Sequence, residues 1–444
     1  MFILRDLIPQ LQAEFSDTPL GRKRSVWFAY TLLAVVVPFT SSITSNLLRA
    51  LRTLFGLELK SQRFYAFMAS PTLPWQRLWH RMWELIAQPS TEGRLLLALD
   101  DFINPKTGRK IFGCGSFFDH AAKANQSSYP WSQNVVSLGL LKWVKGRWAC
   151  LPLAFRFYMM EKDITAGKHN TLRAGKVLCF ESKMAQAAEM IQAVFDHYKT
   201  SVLVVTDSWF GNDGLWKRLA RGQSGDFHLL SRLRSNNTLY DLPSKPTRKR
   251  RGAPRKYGQR LGNTQQCAPT YRERAKPLQV HLYGKKREVL AYDRMVMLKT
   301  LKCQVHVVWV FRRTQYVALF TTDLSLSVQQ IIEYYGARWK IESGFKEIKQ
   351  QIGSARTQTR NAFAVTNHLH FCMMATTLTW VYADRIKADP QRRHKVKGRT
   401  SFAFSDVRRL MAEAALDPDF QTVCPKPRQT PPNSFVETLL RMVA

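Results

Sequence analysis

Residues 95–101 read LLLALDD and residues 201–210 read SVLVVTDSWF. Each is a short apolar run that ends in an acid. A strand buried on both faces has this texture, because neither of its sides needs polar residues. Between the two lie candidate strands around Ile111–Phe117 and Val135–Leu141, and a helix rich in Ala, Met and Gln over Ser182–Tyr198. Strands, a helix, then a strand returning beside the first predict an α/β unit with a mixed sheet. Asp100 and Asp207 then stand at the ends of two buried strands, and strand ends of such a sheet converge on one edge. Asp101 points to the opposite face from Asp100, since neighbours on a strand alternate. A strand-end carboxylate can equally serve as a turn former or helix cap.

Upstream, residues 1–90 read as helical. LIPQLQAEF, SVWFAYTLLAVVV, ITSNLLRALRTLF and LPWQRLWHRMWELIA carry apolar residues at helical spacing, with turn signals between them. Arg49, Arg52, Arg63, Arg77 and Arg81 lie on or beside these helices, as in a small DNA-reading bundle or a basic structural cap. Arg22, Lys23 and Arg24 precede an apolar run from Val26 to Phe39 that imitates a targeting signal. That run is too short to span a bilayer and is broken by Pro38, so a buried helix and a cytoplasmic protein are expected.

Downstream, residues 226–322 are rich in strand signals: FHLLSRL, LQVHLYG, REVLAYDRMVML, CQVHVVWVF and YVALFTT. Within them KPTRKRRGAPRKYGQR, residues 245–260, holds eight basic residues and no acid, which predicts a loop. Arg248, Lys249, Arg250 and Arg251 are its candidate phosphate contacts. An apolar helix over His368–Tyr382 and a basic stretch RRHKVKGR lead into a helical tail. The expected organisation is a helical domain at 1–90, an α/β core at 91–225 and 323–385, a β-rich insertion at 226–322 and a basic tail at 386–444.

Lys and Arg total 67 against 32 Asp and Glu, a net charge of +35. Self-repulsion on that scale calls for a polyanionic partner, with nucleic acid first, an anionic membrane surface second and an acidic protein third. The seven cysteines are widely spread with no CxxC pair, the pattern of buried reduced thiols and not of a disulfide frame or zinc site. His368 and His370, two apart on a helix, point in different directions and suit packing better than a metal.

Residues 334–349, YYGARWKIESGFKEIK, supply the third acid. At 100° per residue Tyr335, Arg338, Glu342 and Lys349 fall within an arc of about 60°, apart from the apolar set Ile341, Phe345, Ile348 and Ile352. Seen alone this is also what a solvated helix with i,i+4 ion pairs looks like. Set beside Asp100 and Asp207 in so basic a chain, it predicts three carboxylates able to hold two divalent ions. Oxygen-only ligands favour Mg²⁺ or Mn²⁺ over zinc, and Arg338 and Lys349 would hold phosphates beside them.

On these residues the sequence resembles the DDE transposases of bacterial insertion sequences, in the group marked by the "YREK" signature, Tyr-x2-Arg-x3-Glu-x6-Lys. Tyr335, Arg338, Glu342 and Lys349 match all four positions, and LALDD and VVTDSWF fall in the expected order. The resemblance covers roughly residues 94–382. It implies an RNase H-like catalytic fold carrying a β-rich insertion, with Asp100, Asp207 and Glu342 as the metal-binding triad. Tyr335, Arg338 and Lys349 would contact phosphates of the transposon end. An aromatic of the insertion would stack on a flipped base during hairpin formation; Tyr316 and Trp309 are the candidates, and either suits the core as well. The resemblance further implies cut-and-paste transposition by a dimer on paired DNA ends. Two other readings stand beside it, a non-catalytic DNA-binding relic and an RNase H-like nuclease without strand transfer. Terminal inverted repeats flanking the gene would distinguish them.

Overall fold

The computed structural model describes residues 3–37, 41–53, 55–119, 122–168, 178–220, 225–243, 255–394 and 401–415. The chain starts with five helices: α1 (Ile3–Gln12), α2 (Pro19–Val36), α3 (Thr44–Thr53), α4 (Ser61–Met68) and α5 (Trp75–Glu84). Thr18 caps α2 by accepting from the Gly21 N–H at 3.0 Å, with Pro19 as its first residue. From Trp27 to Val36 every residue of α2 is buried, as befits a helix apolar on all sides. Among the described residues no helix is long and apolar enough to cross a membrane.

Strands β1 (Leu95–Pro105), β2 (Cys114–Ser116), β3 (Trp131–Val144) and β4 (Arg147–Tyr158) follow, then α6 (Glu161–Thr165), α7 (Lys183–Tyr198), β5 (Val202–Thr206), α8 (Asp213–Ala220) and β6 (Phe227–Arg232). Next come β7 (Thr238–Tyr240), β8 (Arg260–Asn263), α9 (Thr264–Glu273), β9 (Lys276–Leu282), β10 (Lys285–Leu298), β11 (Cys303–Arg312) and β12 (Gln315–Thr321). Helices α10 (Val328–Ala337) and α11 (Trp339–Lys346) lead into a π-helical turn, Glu347–Ile352, and then to α12 (Ala362–Arg385) and α13 (Phe404–Ala415).

The described strands form one twelve-stranded sheet. Its first half runs β4-β3-β1-β5-β6, with β3 antiparallel to β1 and β4, and with β1, β5 and β6 parallel. This is the RNase H-like arrangement. Helices α7 and α8 make the crossovers that parallel pairing demands. The sheet then continues without a break, because β12 pairs antiparallel with β6 and leads through β11 to β10. The β-rich stretch is thus an extension of the core sheet off its β6 edge.

Leu95 to Leu99 are fully buried. Helix α12 is buried along most of its length and receives the front helices through polar as well as apolar contacts. Trp75 donates its indole N–H to Asn367 Oδ1 at 2.7 Å, and Asn367 Nδ2 donates to the carbonyls of Met68 and Ser70. Trp79 reaches His370 Nδ1 at 2.9 Å, while His368 Nε2 lies 2.6 Å from the Ser42 carbonyl. Burial pushes the His368 and His370 pKa values down to about 4 and about 3, so both are neutral packing groups. Cys114, Cys150, Cys267 and Cys372 are buried, but Cys303 is half-buried and Cys179 exposed, so the expectation of uniformly buried thiols fails at Cys179, just before α7.

Candidate active site

The sheet register brings the two aspartates level. Leu99 pairs with Thr206 at the end of the β1–β5 ladder, and Thr206 Oγ1 donates to the Leu99 carbonyl at 3.0 Å. The next residue in each segment is an acid: Asp207 directly follows β5, but Asp100 is not the strand end expected of it, because β1 stays paired with β3 as far as Pro105. Adjacent strands lie about 4.8 Å apart. One oxygen of Asp207, Oδ1, accepts the backbone N–H groups of Trp209 and Phe210 at 3.0 Å each, and its carbonyl accepts from Ser231. Asp207 therefore does form a turn. Asp101, on the other face, accepts from Asn134 Nδ2 at 2.8 Å and Lys183 Nζ at 2.9 Å.

Helix α10 starts at a capping box formed by Ser327 and Gln330, which fixes where the signature segment begins. Arg338 links α10, which carries Tyr335, to α11, which carries Glu342, in helical conformation. Arg338 Nη1 donates to Asp100 Oδ2 at 3.1 Å and Nη2 to Glu342 Oε1 at 2.9 Å. The Tyr335 ring lies 5.7 Å from the guanidinium. Asp100, Tyr335, Arg338 and Glu342 are thus drawn together by one side chain. Asp100 Oδ1 also accepts the Asp101 N–H at 2.9 Å.

The charges interact. The Asp100 pKa is pushed up to about 7, first by burial and then by the negative charge of Asp207, with Arg338 pulling the other way. Like-charge repulsion of this kind marks carboxylates that face a common space. Burial also raises the Tyr335 hydroxyl, against the pull of Arg338 and Arg232.

Lys349 stands apart. Its Nζ donates to the Ile103 carbonyl at 3.3 Å and sits 5.7 Å from the Phe102 ring. Ile103 is three residues past Asp100, about 10 Å along the strand. The single arc expected for Tyr335, Arg338, Glu342 and Lys349 assumed uniform α-helix, whereas residues 347–352 wind as a π-helical turn closed by Gly353 at φ 92°.

The two candidate stacking aromatics differ. Trp309 is fully buried, its ring 4.7 Å from that of Tyr271 and 6.3 Å from that of Tyr292. It presents no face to a base in this conformation, because Tyr271 of α9 and Tyr292 of β10 cover its ring. Tyr316 is half-buried on β12, with its hydroxyl 3.4 Å from Thr264 Oγ1. Arg248, Lys249, Arg250 and Arg251 lie outside the described residues.

Three neighbours escaped the sequence reading. Trp209 is 43% exposed beside Asp207. Lys183 stands 5.3 Å over its ring while bound to Asp101, and Arg232 ends β6 near Tyr335. Only VVTDSWF itself, with its Trp two residues past the acid, gave a signal for any of them.

The donor set is made of carboxylates only, which suits a hard divalent cation. Yet among the described residues no group of three or more His, Cys, Asp and Glu is gathered closely enough to hold a metal ion. Arg338 supplies a physical reason, since its guanidinium stands between Asp100 and Glu342. The residues fit such an ion in kind.

A comparison with curated proteins gave no match. The family model described as DDE superfamily endonuclease matches residues 17–312, from α2 to the end of β11. That is well over half of the chain and takes in Asp100, in the middle of β1, and Asp207, the residue after β5. The chain belongs to the DDE superfamily endonuclease family.

Proposed function

We propose that the protein is a DNA transposase of the insertion-sequence type, in the group whose signature is Tyr335, Arg338, Glu342 and Lys349, and that it acts in the cytoplasm on the ends of its own element. Asp100, Asp207 and Glu342 are its ligands for two Mg²⁺ or Mn²⁺ ions. When bound, these would activate a water or a 3′-hydroxyl and stabilise the leaving oxygen of an in-line displacement at phosphorus. The observation that carries this reading is the level placement of Asp100 and Asp207 on adjacent parallel strands, with Glu342 tied to Asp100 through one guanidinium.

The chain's own residues divide the remaining work. Arg338 and Tyr335 hold the phosphate that reacts, the guanidinium by its planar fork and the phenol by its hydroxyl. Lys349 grips a phosphate farther along the same strand. Asp101 and Lys183 brace the opposite face of β1, so that Asp100 keeps its direction. The exposed arginines of the front helices, Arg49, Arg63 and Arg77, add contacts to the DNA backbone. The reaction follows as strand cleavage at the element end, attack of the freed 3′-hydroxyl on the opposite strand to give a hairpin, and joining to target DNA by a dimer on paired ends.

The test uses duplexes taken from the DNA flanking the gene, incubated with the protein and Mg²⁺. Cleavage at a terminal inverted repeat followed by joining to a second duplex supports transposition. Cleavage without joining would favour a nuclease, and binding alone a relic.

A further inference from the structure

The carboxylate cluster is closed by a side chain of its own helix. Arg338 gives Nη1 to Asp100 at 3.1 Å and Nη2 to Glu342 at 2.9 Å, so one planar guanidinium is shared between two of the three acids. Two carboxylates bound to one small divalent ion, at about 2.1 Å each, bring their oxygens to roughly 3 Å of one another. A guanidinium whose two Nη groups hold one oxygen of each acid occupies the lone pairs a cation would use and sets its own positive charge beside the ion's. Pairing with Arg338 and joint ligation of a cation therefore compete. The paired state also leaves a donor unmet: Arg338 Nε is buried and has no hydrogen-bond partner among the described residues.

We propose that Arg338 is a lock on the carboxylates, competing with divalent cations for Asp100 and Glu342 and releasing them when a DNA phosphate takes its guanidinium. The proposal rests on the assignment of Asp100, Asp207 and Glu342 as cation ligands. A phosphate is a fitting key, because it offers the fork the same paired oxygens a carboxylate does and can also accept from Nε. When the guanidinium leaves, the cations replace its positive charge between the acids. An enzyme built this way holds its cations loosely until DNA is in place, which keeps stray hydrolysis low. Arg338 is then a positioning residue for the ligands as well as a phosphate contact.

The test measures Mn²⁺ binding by the full chain without DNA, from the loss of the free-ion electron paramagnetic resonance signal. Arg338→Gln should bind Mn²⁺ at least tenfold more tightly than wild type. Arg338→Lys, which keeps the charge but not the fork and guards against a folding defect in the first variant, should fall between. Adding Asp100→Asn to Arg338→Gln should return binding to the weak level. At constant ionic strength, Mn²⁺ should raise the affinity of wild type for a labelled duplex more than that of Arg338→Gln, since the coupling is reciprocal. If folded Arg338→Gln binds Mn²⁺ no better than wild type while Asp100→Asn still weakens it, the lock is wrong and the ligands stand. If Asp100→Asn has no effect on Mn²⁺ in either background, the ligand assignment fails and takes the lock with it.

Discussion

Glu347→Gln should make this protein more stable at pH 8 and should flatten its stability against pH. Glu347 opens the π-helical turn that follows Glu342, is buried, and accepts the Trp380 indole N–H at 3.1 Å. Burial pushes its carboxyl from 4.5 up to about 7, although the Trp380 hydrogen bond, Arg147 and Lys340 all favour the charged form. A raised carboxyl pKa means the fold prefers the protonated acid. Its contribution to stability is therefore complete below about pH 4.5 and is lost as the pH rises through 7. The gap of about 2.5 units corresponds to about 3 kcal/mol at pH 8 and under about 1 kcal/mol at pH 5. Gln keeps an acceptor for Trp380 and carries no charge in either state. Thermal melting of wild type and variant from pH 5 to 8 reads the difference: the curves should nearly meet at pH 5 and diverge steadily above it. A variant less stable than wild type at pH 8, or one with the same pH slope, would show that Glu347 is ionised and well paired in the fold.

Three further outcomes are expected. Neutralising Arg248, Lys249, Arg250 and Arg251 together should weaken DNA binding and reduce its salt dependence by up to about one unit of slope for each phosphate no longer neutralised; an unchanged slope in a salt titration would mean that these residues do not touch DNA. Arg338→Ala should slow single-turnover cleavage about a hundredfold, the effect typical of removing one preorganised electrostatic interaction; a rate near wild type in the folded variant would remove Arg338 from the reaction. Lys349→Ala should weaken binding to specific ends more than to random duplex, because its position beside Ile103 is about 10 Å from the reacting phosphate; equal weakening on both would make it a general backbone contact.

The parts legible in the sequence were those with strong local periodicity. LLLALDD and VVTDSWF read as buried strands because apolar runs of that length leave little alternative, and both lie on strands of one parallel ladder. Strand β4 was missed although its turn was visible: Lys145 and Gly146 take φ 43° and 80°, the pair of positive angles that a two-residue hairpin needs, and RWACLPLAFRFY follows at once. Helix α9 hides behind its internal Pro269. The π-helical turn could not be read at all, since nothing local sets it. Among its contacts is one from the far end of the chain, where Arg408 of α13 donates to the Gln351 carbonyl and also to those of Val35 and Val36. The fate of Trp309 was equally non-local, because alternation along β11 does not say which of its faces α9 will cover. The Arg338 bridge was half legible. Its i,i+4 spacing to Glu342 predicts one ion pair, but the second, to Asp100, spans 238 positions and exists only in the folded sheet.

The central claim is that Asp100, Asp207 and Glu342 act as one catalytic group. The most direct measurement is single-turnover cleavage, in Mg²⁺, of a duplex carrying the element's end by Asp100→Asn, Asp207→Asn and Glu342→Gln, with duplex binding measured on the same preparations. Each variant should bind the duplex as wild type does, or more tightly for the loss of a negative charge, and should cleave it undetectably. Cleavage near the wild-type rate by any two of the three would contradict the account.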